Sequence, residues 1–286
     1  MDKNEGPKQK VSILIGDNGP TVPMCGNFVD FPLSDRQMPI KICFKNLQIL
    51  YIDDSVIKFL HSKKRFYDRS GTNLEFNLHW VVQPICDVFV REIWPIFVSN
   101  IRRFGFRNGA QLDNLRRLVS PTFLTDLDQL NSIDFGLLFP DGIADDGPNA
   151  TAGQALSKWL HTPTTDGQPK RLCRNNYLSR LNLEWVNNFK ETFRRATTSV
   201  SYQIQLYFFV DTMPIEQFEL VNERTKEKLT LKMSEEYNGS VYNWLLKRCP
   251  IGETATAPIK WKNRQNLDAN LNNIQFIFWG GSNCIG

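Results

Sequence analysis

The chain has 286 residues, 41% hydrophobic and 22% charged, which excludes both wholesale disorder and a disulfide-stapled miniprotein. A net charge of +4 is far from the dense positive field of a dedicated nucleic-acid binder. No run of about eighteen apolar residues predicts a membrane span.

The chain opens Met-Asp-Lys-Asn-Glu, without an apolar h-region, so no secretory signal is expected. Residues 1–36 are rich in Gly, Pro, Asn and Asp and read as a poorly ordered leader, with one short strand over Val11 to Ile15. The six cysteines, Cys25, Cys43, Cys86, Cys173, Cys249 and Cys284, form no Cys-x-x-Cys pair. They read as reduced thiols of a cytoplasmic or nuclear protein.

Residues 37–200 read as a repeat-like α/β region. Asn46-Leu47-x-x-Leu50-x-Ile52, Asn100-Ile101-x-x-Phe104-x-Phe106 and Gln129-Leu130-x-x-Ile133-x-Phe135 share one template, and Asn73-Leu74-x-Phe76-x-Leu78 alternates like a strand. The leading positions Leu47, Leu74, Ile101 and Leu130 lie 27, 27 and 29 residues apart. That is the period of leucine-rich repeats, in which each strand buries its apolar face only by stacking on its neighbours. Helices are predicted between the strands. Asp54 and Ser55 cap the first. Ile85, Val88, Phe89, Ile93, Ile96 and Phe97 make a stripe that Pro95 should kink or end. Leu112, Leu115 and Leu118 mark a third, stopped by Pro121. A loop over Pro140 to Pro148 interrupts the period, and Ala155, Leu156, Trp159 and Leu160 give another helix. A strand follows around Leu172. Trp185, Val186, Phe189 and Phe193 give the last helix, with Glu191 and Arg195 placed for an i,i+4 pair.

From residue 201 to 286 the period changes to two. Tyr202, Ile204, Leu206, Phe208 and Val210 alternate with their neighbours. Phe218 and Leu220 face Leu229, Leu231 and Met233 across a polar turn, a hairpin pattern. Asn243 to Cys249 and Ile274 to Trp279 supply two more strands of a small antiparallel sheet, expected to pack on the repeats. The fold class is therefore α/β, a short leucine-rich-repeat-like βα array followed by a small antiparallel sheet.

Chemistry-bearing motifs are sparse. His61 and His161 end predicted helices, and His79 stands alone. An imidazolium at a helix C-terminus is favoured by the dipole, so structural roles are expected. Asp53-Asp54 reads as a helix cap and Asp145-Asp146-Gly147 as a solvated loop. There is no Gly-x-Ser-x-Gly elbow and no phosphate loop. A non-enzymatic protein is expected, with no cofactor and no metal. Ile101-Arg-Arg-Phe-Gly-Phe106 has an RNA-recognition flavour, but the repeat template assigns Phe104 and Phe106 to the core. The segment from Lys158 to Arg195 holds eight basic and three acidic side chains, a positive surface suited to an acidic protein partner or, as the alternative function, to nucleic acid. The candidate binding residues are Tyr51 and Arg103, at outward strand positions, and Lys158, Arg171 and Arg174 in the basic segment. The outward strand positions are Gln48 and Tyr51, Glu75 and Asn77, Arg103 and Gly105, and Ser132 and Asp134.

Longer words carry a family resemblance. Tyr51-Ile-Asp-Asp-Ser-Val-Ile-Lys-Phe-Leu60, Glu92-Ile-Trp-Pro95, Ser120-Pro-Thr-Phe-Leu124, Ala155-Leu-Ser-Lys-Trp-Leu-His-Thr-Pro163, Phe218-Glu-Leu-Val-Asn-Glu-Arg-Thr225 and Trp244-Leu-Leu-Lys-Arg-Cys-Pro-Ile251 resemble the F-box-associated proteins expanded in plant-parasitic nematodes. The resemblance runs from about residue 37 to the end. It implies a substrate-receptor module of a ubiquitin ligase, holding an unidentified protein, with no catalytic residue to transfer. In that family an F-box helix bundle precedes this region and docks the Skp adaptor of a cullin ligase. Residues 1–36 show no helical apolar stripe, so no F-box is expected here and Skp and cullin are not expected partners. Neither a membrane nor a nucleic acid is expected as a partner.

Overall fold

The computed structural model describes residues 11–16, 19–24, 27–30, 46–49, 54–62, 64, 72–76, 87–106, 108–136, 138–174, 183–209, 216–237, 241–252 and 274–278. The fold is mixed α/β. The chain divides into two compact units, residues 1–105 with 260–286 and residues 106–259, where the sequence reading places boundaries after 36 and 200.

In the first unit, β1 (Val11–Gly16), β2 (Gly19–Met24) and β3 (Asn27–Asp30) pair antiparallel in succession. Residues 1–36 thus supply three strands where the sequence suggests a leader with one. β4 (Asn46–Ile49), β5 (Thr72–Phe76) and β6 (Ile101–Phe106) pair parallel, with α1 (Asp54–Ser62) between the first two. Leu47 and Leu74 are register partners, as the repeat spacing predicts. Ile101 is not their equivalent. A register shift after Thr72 sets Ile101 opposite Thr72 and brings Phe104 beside Leu74. Leu130 also falls outside the row, because its strand begins two residues later.

Segment Ile274 to Phe278 corrects the sequence reading. As β13 it runs parallel between β1 and β4 in the first unit, not in an antiparallel C-terminal sheet. Its sequence Ile-Gln-Phe-Ile-Phe is apolar at four of five positions, the composition of an internal parallel strand. The kink expected at Pro95 takes a definite form. A π-helical turn over Phe89–Ile93 leads into α2 (Trp94–Phe97), where proline sits in the first turn and its missing N–H costs little.

In the second unit the strand order is β10 (Phe218–Asn222), β11 (Glu227–Tyr237), β12 (Val241–Pro250), β9 (Tyr202–Phe209), β8 (Lys170–Arg174) and β7 (Ser132–Phe135). β7, β8 and β9 are parallel, and the pairs from β9 to β10 are antiparallel. The hairpin pairs Phe218 with Leu231 and Leu220 with Leu229, as the alternation predicts. Lys226 closes its turn in the left-handed region at φ 56°.

Three helices belong to this unit. Asn108 caps α3 (Gly109–Leu118) by accepting from the Gln111 N–H at 3.1 Å. α4 (Ala152–Leu160) opens with a capping box, Thr151 and Gln154 each bonding the other's backbone N–H. α5 spans Leu183–Arg195. Its Glu191 pairs with Arg194 at 2.5 Å, not with Arg195 as expected from i,i+4 spacing. Between α3 and α4 the 140–148 loop is held from beneath: the buried Arg116 donates to the carbonyls of Pro121, Gly147 and Ala150.

Candidate functional site

The register of the second unit sorts its strand residues onto two faces. One face carries Ile133, Leu172, Ile204, Leu246, Leu231 and Phe218 in a continuous row. Its next row is Lys170, Tyr202, Arg248, Leu229 and Leu220. α4 and α5 pack here. Lys190 lies 4.3 Å over the Phe218 ring, and His161 meets Tyr202 edge-on at 5.5 Å.

A buried ionic network crosses this face. Arg248 donates through Nε and Nη2 to Glu227 Oε2 at 3.1 and 2.6 Å, and through Nη2 to the Thr198 carbonyl at 2.8 Å. Glu227 Oε1 accepts from the Val200 N–H and from Ser199 Oγ. Both charged side chains are 1% exposed. Asn222 donates to the carbonyls of Phe193 and Ala196, satisfying the end of α5. Periodicity alone does not flag these residues, but a signal exists. Trp244, Leu246 and Arg248 share one parity in β12, so the strand turns an arginine inward beside a tryptophan and a leucine.

Lys170 and His161 complete the buried polar set. Lys170 donates to the Trp159 carbonyl and sits 4.8 Å above its indole ring. Burial pushes its ammonium down from 10.5 to about 7. His161 caps α4, its Nδ1–H donating to the Ser157 carbonyl at 2.8 Å. Burial, with Arg248 and Lys170 nearby, lowers its pKa to about 4. The imidazole expected to be charged at a helix end is therefore neutral at pH 7. For both groups the folded chain binds fewer protons than the unfolded one between the two pKa values, so stability rises with pH across each window. The expected result is a gain on the order of a few kcal/mol from pH 7 toward 10 through Lys170, and a loss as pH falls from 6.5 through about 4 through His161. Urea midpoints measured across pH should show that Lys170→Met flattens the alkaline rise. An unchanged slope in that variant would assign the rise elsewhere.

The opposite face is polar. Ser132, Arg171, Gln203, Lys247, Thr230 and Glu219 are consecutive register partners across all six strands. Beside them run Asp134, Cys173, Gln205, Leu245 and Lys232. Cys173 Sγ donates to Gln205 Oε1 at 3.6 Å, and Gln205 Nε2 donates to Asn243 Oδ1 at 3.2 Å, a ladder across β8, β9 and β12. Ser132, Asp134, Gln203, Gln205 and Thr230 are buried, Arg171 and Lys247 half-buried, and Glu219 and Lys232 exposed.

The candidate residues from the sequence separate accordingly. Arg171 is the second residue of the polar row, beside Ser132; Ser132, Asp134 and Gly105, expected to point outward, are buried. Arg103 is half-buried in β6 of the first unit, in register with Asn73. Lys158 is exposed on α4. Arg174 ends β8 with its side chain outside the described residues, where Tyr51 also lies. The expected basic surface is divided: Lys170 is buried and Arg194 is paired with Glu191. Phe104 and Phe106 are buried, as the repeat template requires. Cys173 and Cys249 are buried thiols outside any disulfide.

No family model, no curated protein and no solved structure matches this chain. Of the words that carry the family resemblance, Tyr51 to Leu60 and Glu92 to Pro95 fall in the first unit and the other four in the second. Ala155 to Pro163 contains Trp159 and His161, Phe218 to Thr225 contains Asn222, and Trp244 to Ile251 contains Arg248. Among the described residues no His, Cys, Asp and Glu group is arranged to hold a metal ion. No helix among them is long and apolar enough to cross a membrane.

Proposed function

We propose that this chain is a non-enzymatic protein-recognition module, derived from the substrate-receptor part of F-box ubiquitin-ligase adaptors and built on a short leucine-rich-repeat-like βα array. The observation that carries the reading is the in-register polar row from Ser132 to Glu219, on the face opposite the one where α4 and α5 pack. Within that row Arg171, Lys247 and Glu219 reach solvent while Ser132, Gln203 and Thr230 are buried, so the accessible part of the face is its charged part. The parallel alignments of Leu47 with Leu74 and of Ile133, Leu172 and Ile204 support the array. Catalysis draws no support from the charged centre of the unit, because Arg248 is bonded to Glu227 and His161 to the Ser157 carbonyl.

The test is affinity capture from nuclease-treated cell extract, with the wild-type chain and the Arg171→Glu/Lys247→Glu variant. Both positions are half-buried on the sheet face, so a melting curve first establishes that the variant is folded, and Arg171→Gln/Lys247→Gln replaces it if the charge reversal unfolds the chain. The expected result is a discrete set of proteins captured by the wild type and lost by the variant. Full retention in the folded variant, or capture that vanishes on nuclease treatment, would remove this surface as the site.

A further inference from the structure

Within the second unit, a cleft of about 810 Å³ opens between the 141–144 loop, α4 and α5, a volume in the range of small-ligand sites. Its charges can be accounted for one by one. Asp141 Oδ2 accepts from Thr151 Oγ1 at 2.8 Å. Its carboxylate lies so close to the first turn of α4 that a Cβ on Gly153 would meet it at 2.7 Å, and the helix dipole offsets its charge. Glu191 is taken by Arg194, and Arg248 by Glu227. Arg195 remains. It is exposed at the end of α5, it lines the cleft, and among the described residues no carboxylate pairs with it. On the loop side of the same cleft stands Ile143, 68% exposed.

From this balance we infer that the cleft binds an acidic peptide segment, one carboxylate on Arg195 and an aliphatic side chain against Ile143. The inference rests on the protein-recognition reading above and adds the chemistry of the partner. A peptide is favoured over a nucleic acid by the lining itself. It offers one unpaired cation beside an apolar contact, which suits a single carboxylate with an aliphatic neighbour, whereas a run of phosphates needs a row of cations. Thr197 and Thr198, just beyond the helix end, line the cleft beside Arg195. Sequence reading places Arg195 in an ion pair, and only the choice of Arg194 as the partner of Glu191 frees it.

The experiment is fluorescence anisotropy on the full chain with three labelled probes: an octapeptide alternating Glu and Leu, its Lys and Leu counterpart, and a single-stranded oligonucleotide. The expected result is saturable binding of the Glu–Leu peptide alone, weakening as salt rises. Arg195→Glu should weaken it by roughly tenfold or more at unchanged melting temperature, and Arg195→Lys by much less. Ile143→Ser should weaken it by a smaller factor. Equal affinity in Arg195→Glu, no binding of the Glu–Leu peptide, or preference for the oligonucleotide would each overturn the inference. The Arg171→Glu/Lys247→Glu variant separates the two proposals. If it keeps full affinity for the peptide while the wild type captures no protein through the sheet face, the cleft stands and the sheet-face reading falls.

Discussion

Glu227→Ala is expected to destabilise the second unit by about 3–5 kcal/mol, because it strands the Arg248 guanidinium in a site that excludes water. Nε and Nη2 both lose their carboxylate, and the Thr198 carbonyl and the Phe193 ring at 5.3 Å are left to offset a full charge. The N–H of Val200 and the hydroxyl of Ser199 lose their acceptor as well. The damage should spread to the end of α5, since 198–200 links that helix to β9. Urea denaturation followed by tryptophan fluorescence measures the loss, and a midpoint near wild type would mean that water reaches the site. The paired replacement Glu227→Leu with Arg248→Met separates charge from shape. Removing both ions together should recover most of the loss, because the desolvation penalty disappears with the attraction.

The second large effect is expected at Trp159, 1% exposed and among the largest fully buried side chains. Trp159→Ala should cost about 3–5 kcal/mol through lost transfer energy and the cavity left behind. The ring also faces the Lys170 ammonium, so its removal deletes a favourable cation contact and leaves that group held only by a backbone carbonyl. Trp159→Phe should cost clearly less. The adjacent Lys158→Ala, on the exposed side of α4, should stay within about 0.5 kcal/mol of wild type. Calorimetric melting of the three variants checks the order, and a Lys158 effect equal to that of Trp159 would show that the helix faces are misassigned.

Both positions show how far local pattern reaches. The helical stripe names Trp159 as buried directly, because α4 repeats its apolar residues at three- and four-residue steps. Arg248 is hidden by its residue type, although its parity in β12 matches Trp244 and Leu246. Glu227 is harder still. It sits at the first position of β11, beside a turn, where an acidic residue reads as solvated. Only the arrival of 198–200 and β12 around it makes it a buried counter-ion.

Elements set by contiguous residues were legible in the sequence alone: α3, α4 and α5 from their stripes, β9 from its two-residue alternation, and the β10–β11 hairpin down to the pairing of Phe218 with Leu231. Partners distant in the chain were not. Whether Ile274 to Phe278 joins β12 or slips between β1 and β4, whether Leu74 faces Ile101 or Phe104, and whether Glu191 takes Arg194 or Arg195 are choices between alternatives of nearly equal local energy. Tertiary packing made those choices. The cleft depends on the last of them and the polar row on the register of β7 to β12, because register places side chains from different strands side by side, and register is a property of the assembled sheet rather than of any one strand.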